Sequence, residues 1–175
     1  MKILNFEFKA RMKDEQRVRE ALKRLRARFI GTDHQIDTYF RVPSGRLKVR
    51  EGRLENALIF YQRTNIRRAR RSAVEMMLLP RRNSLCAILA RALGTLAVVD
   101  KRREIYFVKN VKIHLDRVRR LGKFLEVEAI SRTGDMKKIR SQARQFQVLF
   151  GITAKDIVAE SYSDLILTKN RTSEI

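Results

Sequence analysis

Phe124-Leu125-Glu126-Val127-Glu128-Ala129 alternates apolar and acidic side chains, and its reading decides what kind of sheet the chain builds. Residues two apart in a strand share a face, so Glu126 and Glu128 point one way while Leu125, Val127 and Ala129 point the other. The same period recurs along the chain. Glu7 and Lys9 alternate with Phe6, Phe8 and Ala10, Lys48 and Arg50 flank Val49, and Lys101 and Arg103 share a face further on. One face of this sheet is ionic and the other is apolar. An antiparallel sheet with helices on its apolar face and water on the other is the common way to satisfy that pattern. A sheet curled into a barrel, apolar side outward beneath helices, instead turns the charges toward one another across a lumen. The sorting of charge into acidic and basic pairs weighs against the first arrangement. A lumen of this kind calls for a polyanion and a metal.

Working outward, Val18, Leu22, Leu25 and Phe29 recur at i, i+4, i+7 and i+11, as do Ile139, Ala143, Phe146 and Phe150. Gly31 and Gly151 follow the two stripes as candidate C-caps, so the spacing predicts two amphipathic helices of about four turns each. A third helix is expected from about Asn83 to Leu93, with Leu85, Leu89 and Leu93 on one face, Pro80 upstream and Gly94 after it. Tyr39-Phe40, the turn Val42-Pro43-Ser44-Gly45 and the return through Leu47 to Arg50 read as a hairpin. Further strands are expected near 55–63, 72–78, 96–108, 111–116, 123–130 and 161–167. No Gly/Ser/Pro-rich linker interrupts the chain. The expectation is one α+β domain over residues 1–167, dominated by sheet, with a frayed tail from Thr168 to Ile175.

Composition narrows the class. The 175 residues carry 40 Lys+Arg against 19 Asp+Glu, a formal charge of +21, and 44% are hydrophobic, enough for a core and against disorder. Met1 to Asn5 leads at once into charged residues and lacks the apolar core of a secretory signal. The stretch from Ala87 to Val99 is interrupted by Arg91 and is too short to cross a bilayer. Cys86 is the only cysteine, which excludes an intrachain disulfide and a zinc site built from several cysteines. These features point to a soluble protein of a reducing, cytoplasmic compartment.

Six segments in order carry a family resemblance. Asn5-Phe6-Glu7-Phe8-Lys9 is similar to a Glu-x-Glu-x-Lys signature whose first carboxylate is here an amide. Gln35 to Phe40 with Gly45 to Glu51, Tyr61-Gln62-Arg63, Lys101-Arg102-Arg103, Ile113-His114-Leu115-Asp116 with Phe124 to Glu128, and Glu160 to Leu165 follow at matching separations. The chain thereby resembles the CYTH family, the triphosphate tunnel metalloenzymes, and within it the class IV adenylyl cyclase-like branch.

The resemblance implies an eight-stranded antiparallel tunnel barrel with helices packed on its outside. It implies Mg²⁺ or Mn²⁺ held by Glu7, Glu126, Glu128 and Asp116, since hard divalent cations take oxygen ligands. Lys9, Lys48, Arg50, Arg63, Lys101 and Arg103 would bind the triphosphate, and Lys9, Lys101 and Asp116 would act in catalysis by positioning and charge stabilisation. The implied reaction is conversion of ATP to cyclic AMP and pyrophosphate. Hydrolysis of thiamine triphosphate or inorganic tripolyphosphate is the alternative, and a non-catalytic polyphosphate- or nucleic-acid-binding protein with a weakened metal site is a third. Asn5 removes one charge from the metal site, so metal binding is expected to require a phosphate ligand. His114, beside Asp116, is read either as an aid to proton transfer or as a structural histidine. His34, Cys86 and Met76-Met77 are read as ordinary fold residues.

The proposed lumen set has six basic and four acidic side chains, so it accounts for almost none of the +21. The rest is expected outside, in runs such as Arg67 to Arg71, Arg81-Arg82, Arg117 with Arg119-Arg120, and Lys137-Lys138. Such an exterior attracts nucleic acid or other polyanions without reading sequence. A homodimer is a further implication of the resemblance.

Overall fold

The computed structural model describes residues 2–62, 70–131 and 135–173. Its strands are β1 Lys2–Arg11, β2 Arg28–Phe40, β3 Arg46–Glu51, β4 Ala57–Gln62, β5 Arg70–Leu78, β6 Thr95–Val108, β7 Val111–Val118 and β8 Gly122–Ser131. They are joined by antiparallel ladders in the order β1-β5-β4-β3-β2-β6-β7-β8, and β1 pairs with both β5 and β8. The barrel is therefore closed, and the alternation read from Phe124 to Ala129 has an inside and an outside. Helices α1 Glu15–Arg24, α2 Leu85–Leu93, α3 Met136–Leu149 and α4 Tyr162–Ser173 complete the described chain. None of them is long and apolar enough to cross a membrane.

The apolar face points outward. Phe8 and Ala10 of β1, Ile113 and Leu115 of β7, and Leu125, Val127 and Ala129 of β8 form one buried core with Val18, Ala21 and Leu22 of α1 and Ile139, Ala143 and Phe146 of α3. Each large side chain so buried contributes about 1.5–3 kcal/mol, and that burial fixes which strand face turns inward. A second cluster fills one end of the barrel from within: Val99, Val118 and Phe124 pack with Tyr162 and Ile166 of α4.

Three expectations need correction. The first predicted helix stops at Arg24, and Phe29 lies in β2, 53% exposed. Arg26 takes φ +49°, while Arg26 N–H donates to Lys23 O and Ala27 N–H to Leu22 O, a Schellman closure made one turn before Gly31. The long ladder of β2 with β6 then claims the chain from Arg28 onward. The second predicted helix ends as expected: Gly151 N–H donates to Val148 O and Ile152 N–H to Gln147 O, with Gly151 at φ +67°. The expected strand over 161–167 is the start of α4, which continues to Ser173 through the expected tail. Asp164 Oδ2 accepts from Ser161 N–H at 2.9 Å while Ser161 Oγ accepts from Asp164 N–H at 3.1 Å, a reciprocal cap that starts a helix.

Candidate active site

Inside the barrel the ionic side chains meet. A cavity of about 400 Å³ is lined by Lys9, Lys48, Arg50, Arg103 and Lys112, and by Glu7, Asp37, Glu55, Glu126 and Glu128. Among the described residues its charged lining is thus balanced, five bases against five carboxylates, rather than basic as the sequence suggested. The opposite wall is apolar: Ala57, Ile59 and Tyr61 of β4 and Val74 and Met76 of β5 face the same space.

Asp37 organises the basic side. It faces Arg50 across the β2–β3 ladder and is fully buried. Its Oδ2 accepts from Lys48 Nζ and Lys101 Nζ, each at 2.7 Å, and its Oδ1 accepts from Arg50 Nε at 2.8 Å. Burial alone would raise its pKa, but Arg50, Lys101 and Lys48 outweigh burial and hold Asp37 well below the ordinary carboxylate range. For Lys101 the balance reverses: burial, aided by the neighbouring cations, pushes it down to about 7 despite Asp37. Arg50 reaches on to Glu55 Oε2 at 2.8 Å, and Lys112 Nζ pairs with Glu55 Oε1. Glu55 lies between β3 and β4, and its loop is pinned by Asp33, whose Oδ1 accepts from Arg53 N–H at 2.7 Å and whose Oδ2 accepts from Glu55 N–H at 3.0 Å.

Arg103 organises the acidic side. It stands opposite Asp116 in the β6–β7 ladder, grips it through Nε and Nη2 at 2.7 and 2.5 Å, and extends Nη2 to Glu126 Oε2 at 2.6 Å. Tyr162 O–H donates to Asp116 Oδ2 at 2.7 Å. Lys9 Nζ donates to the Glu160 carbonyl and sits 4.3 Å from the centre of the Tyr162 ring. Burial would raise Glu126, yet the Arg103 guanidinium holds it well below the ordinary range. Glu128 instead is pushed up to about 7 by burial and by the charges of Glu7 and Glu126. Burial and the Arg103 charge push His114 down to about 3, so its ring is neutral near pH 7.

The residues expected to bind metal divide here. Glu7 lies directly across the ladder from Glu128, and both face the cavity with Glu126. Asp116 does not join them, because Arg103 and Tyr162 occupy its oxygens one layer behind the wall. His114 stands beside the two β8 carboxylates instead: His114, Glu126 and Glu128 each put one donor atom within 4.8 Å of the others. Asn5, the departure from the family signature, is 3% exposed and its Oδ1 has no hydrogen-bond partner. An orphaned carbonyl oxygen and an orphaned imidazole beside half-buried carboxylates fit a divalent cation.

Of the expected triphosphate ligands, Lys9, Lys48, Arg50 and Arg103 reach the cavity. Lys101 does not line it; its fully buried ammonium is spent on Asp37. Arg63 lies outside the described residues. Sequence reasoning missed Asp37, Glu55 and Lys112. Asp37 and Lys112 carried the period-two signal, Asp37 with Tyr39 and Lys112 with His114, whereas Glu55 lies outside any strand and had none.

The sequence profile of the CYTH domain matches residues 4–162. A Methanocaldococcus jannaschii protein named "Putative adenylate cyclase" is 26% identical over 173 residues, covering 93% of this chain and 98% of that one. A Pyrococcus horikoshii protein of solved structure superposes with a TM-score of 0.79 at 23% identity, over 92% of this chain and 98% of its own. A Hippeastrum protein, described as an adenylyl cyclase by name with a dominant triphosphatase activity, superposes at 0.58 with 13% identity and 95% coverage of each chain.

Proposed function

Because the chain belongs to the CYTH family, whose members act on triphosphates, we propose that its lumen binds ATP with a divalent cation and converts it to cyclic AMP and pyrophosphate. The observation that carries the reading is one cavity with a charged side for a polyphosphate and its counterion and an apolar side for a nucleoside. Lys9, Lys48, Arg50 and Arg103 bind the phosphates and stabilise charge gathering on the departing pyrophosphate. Lys101 and Asp116 act from behind as positioning residues, one on Asp37 and the other on Arg103. A divalent cation held by Glu7, Glu126 and Glu128 supplies further neutralisation of phosphate oxygens, and either Mg²⁺ or Mn²⁺ suits the carboxylates. The Ile59, Tyr61, Val74 and Met76 wall shields the base and favours a folded nucleotide, in which the ribose 3′-hydroxyl oxygen attacks the α-phosphorus, the bond to the bridging oxygen of pyrophosphate breaks, and the hydroxyl proton ends on the departing pyrophosphate. A cytoplasmic setting belongs to the same reading, since the lone Cys86 calls for no oxidising compartment.

Hydrolysis is the second reading, favoured by the activity named for the Hippeastrum protein. There water attacks the terminal phosphorus, the bond from that phosphorus to its bridging oxygen breaks, and the diphosphate departs, leaving orthophosphate as the second product. Incubating the protein with ATP, thiamine triphosphate and inorganic tripolyphosphate, each with Mg²⁺ or Mn²⁺, separates the two. Cyclic AMP with pyrophosphate is expected; orthophosphate alone makes the protein a triphosphatase; binding without turnover makes it a polyanion-binding protein.

A further inference from the structure

His114 is 1% exposed, and neither of its ring nitrogens has a hydrogen-bond partner. A histidine buried for packing satisfies at least one nitrogen, and His114 satisfies neither. It projects from β7 directly opposite Glu126 of β8, with Glu128 on the same face two residues on. Its Nδ1 lies 3.7 Å from Glu126 Oε2 and 3.6 Å from Glu128 Oε1. Those separations are too long for hydrogen bonds, and within about 0.6 Å of the roughly 3.1 Å that separates neighbouring donors each about 2.2 Å from an octahedral ion.

We propose that His114 Nδ1 is a nitrogen ligand to the cation held by Glu126 and Glu128. The centre is then a mixed imidazole and carboxylate site, which suits Mn²⁺ or another first-row transition ion better than Mg²⁺. Arg103, donating to Glu126 Oε2 at 2.6 Å, serves as the outer partner that orients this carboxylate. The inference deepens the proposed function, resting on its claim that the lumen carboxylates hold a metal.

The test is pulsed EPR of the full chain loaded with Mn²⁺ and inorganic pyrophosphate. The chain has two histidines, and His34 is an exposed residue paired with Asp100 on the outside of the barrel. Directly bound ¹⁴N coupling is therefore expected in the parent protein, converted to ¹⁵N coupling by ¹⁵N-histidine labelling, and kept in His34→Gln. It is expected to vanish in His114→Gln, with Mn²⁺ affinity lowered at least tenfold and Mg²⁺ affinity changed less than threefold, roughly, as a lost nitrogen ligand requires. Absence of nitrogen coupling in the parent protein, its persistence in His114→Gln, or failure to bind Mn²⁺ overturns the inference; the labelled parent needs no variant to fold. Nitrogen coupling without any turnover of ATP would sink the proposed reaction alone, and Mg²⁺-supported cyclic AMP formation without nitrogen coupling would sink the histidine ligand alone.

Discussion

Asp37 gathers three bases from two strands, Lys48 and Arg50 from β3 and Lys101 from β6, and its removal would leave the three cations crowded together without their shared carboxylate. Breaking a buried ion pair by deleting one partner costs about 3–5 kcal/mol, so Asp37→Ala is expected to lose about that much in urea unfolding. Lys48→Ala removes one cation and leaves Asp37 two, so the fold should persist. Its triphosphate affinity should fall roughly tenfold or more by calorimetry, as expected for the loss of one charge-assisted contact of about 1.5–3 kcal/mol. Unchanged affinity would remove Lys48 from the site. At this scale the sequence disclosed which residues face inward, because inwardness follows from period two. It did not disclose depth. Lys101 and Arg103 share a strand face, yet one is spent behind the wall and the other stands on it, because Lys101 meets an aspartate 64 residues away through the register of β2 with β6.

Between elements, α1 is tied to the barrel by Glu15, which accepts from Lys123 of β8 at 2.7 Å and from Arg19 and Arg117 at 2.8 and 3.1 Å. These partners, Lys123 first, lower Glu15 from the ordinary 4.5 to about 2. A carboxylate whose folded pKa is depressed stabilises above its unfolded pKa and loses that contribution as pH falls through the folded one. The loss should therefore run between pH 4.5 and about 2. Lys123 and Arg117 are 49% and 60% exposed, so solvent screening reduces the contribution to about 1 kcal/mol. Glu15→Gln should lose about that amount at neutral pH and almost nothing near the acid end, by thermal unfolding. An equal loss at both ends would mean that packing, not charge, is at work. Under the same helices, Ile139→Ala should cost about 2–5 kcal/mol, because its side chain is fully buried between α3 and the sheet. Helix α3 was legible because a glycine closed it; α1 was read a turn too long because an arginine did the same work. The start of α4 was legible too, in Ser161 and Asp164 three residues apart, but the strand-like segment around it drew the reading away.

At the scale of the molecule, the lumen lining is balanced in charge among the described residues, so it accounts for none of the chain's net +21; Arg67 and Arg68 of the expected exterior run lie outside the described residues. The closed barrel was legible because many strands agree on one alternation; the balance of charge inside was not, because Glu55 and Lys112 enter it from outside the recognised motifs and Asp37, though inside one, was not read as part of the site. A neutral lumen does not attract a polyanion by itself, so anion and cation should enter together. The most direct test is titration of a non-hydrolysable ATP analogue in about 0.5 M salt, where the Debye length is only a few ångströms and exterior binding is suppressed. Binding should be at least roughly tenfold tighter with Mn²⁺ than with a chelator, and Mn²⁺ alone should bind weakly, as carboxylates already paired with bases imply. Equal affinity with and without the metal would contradict a charge-balanced, metal-requiring lumen.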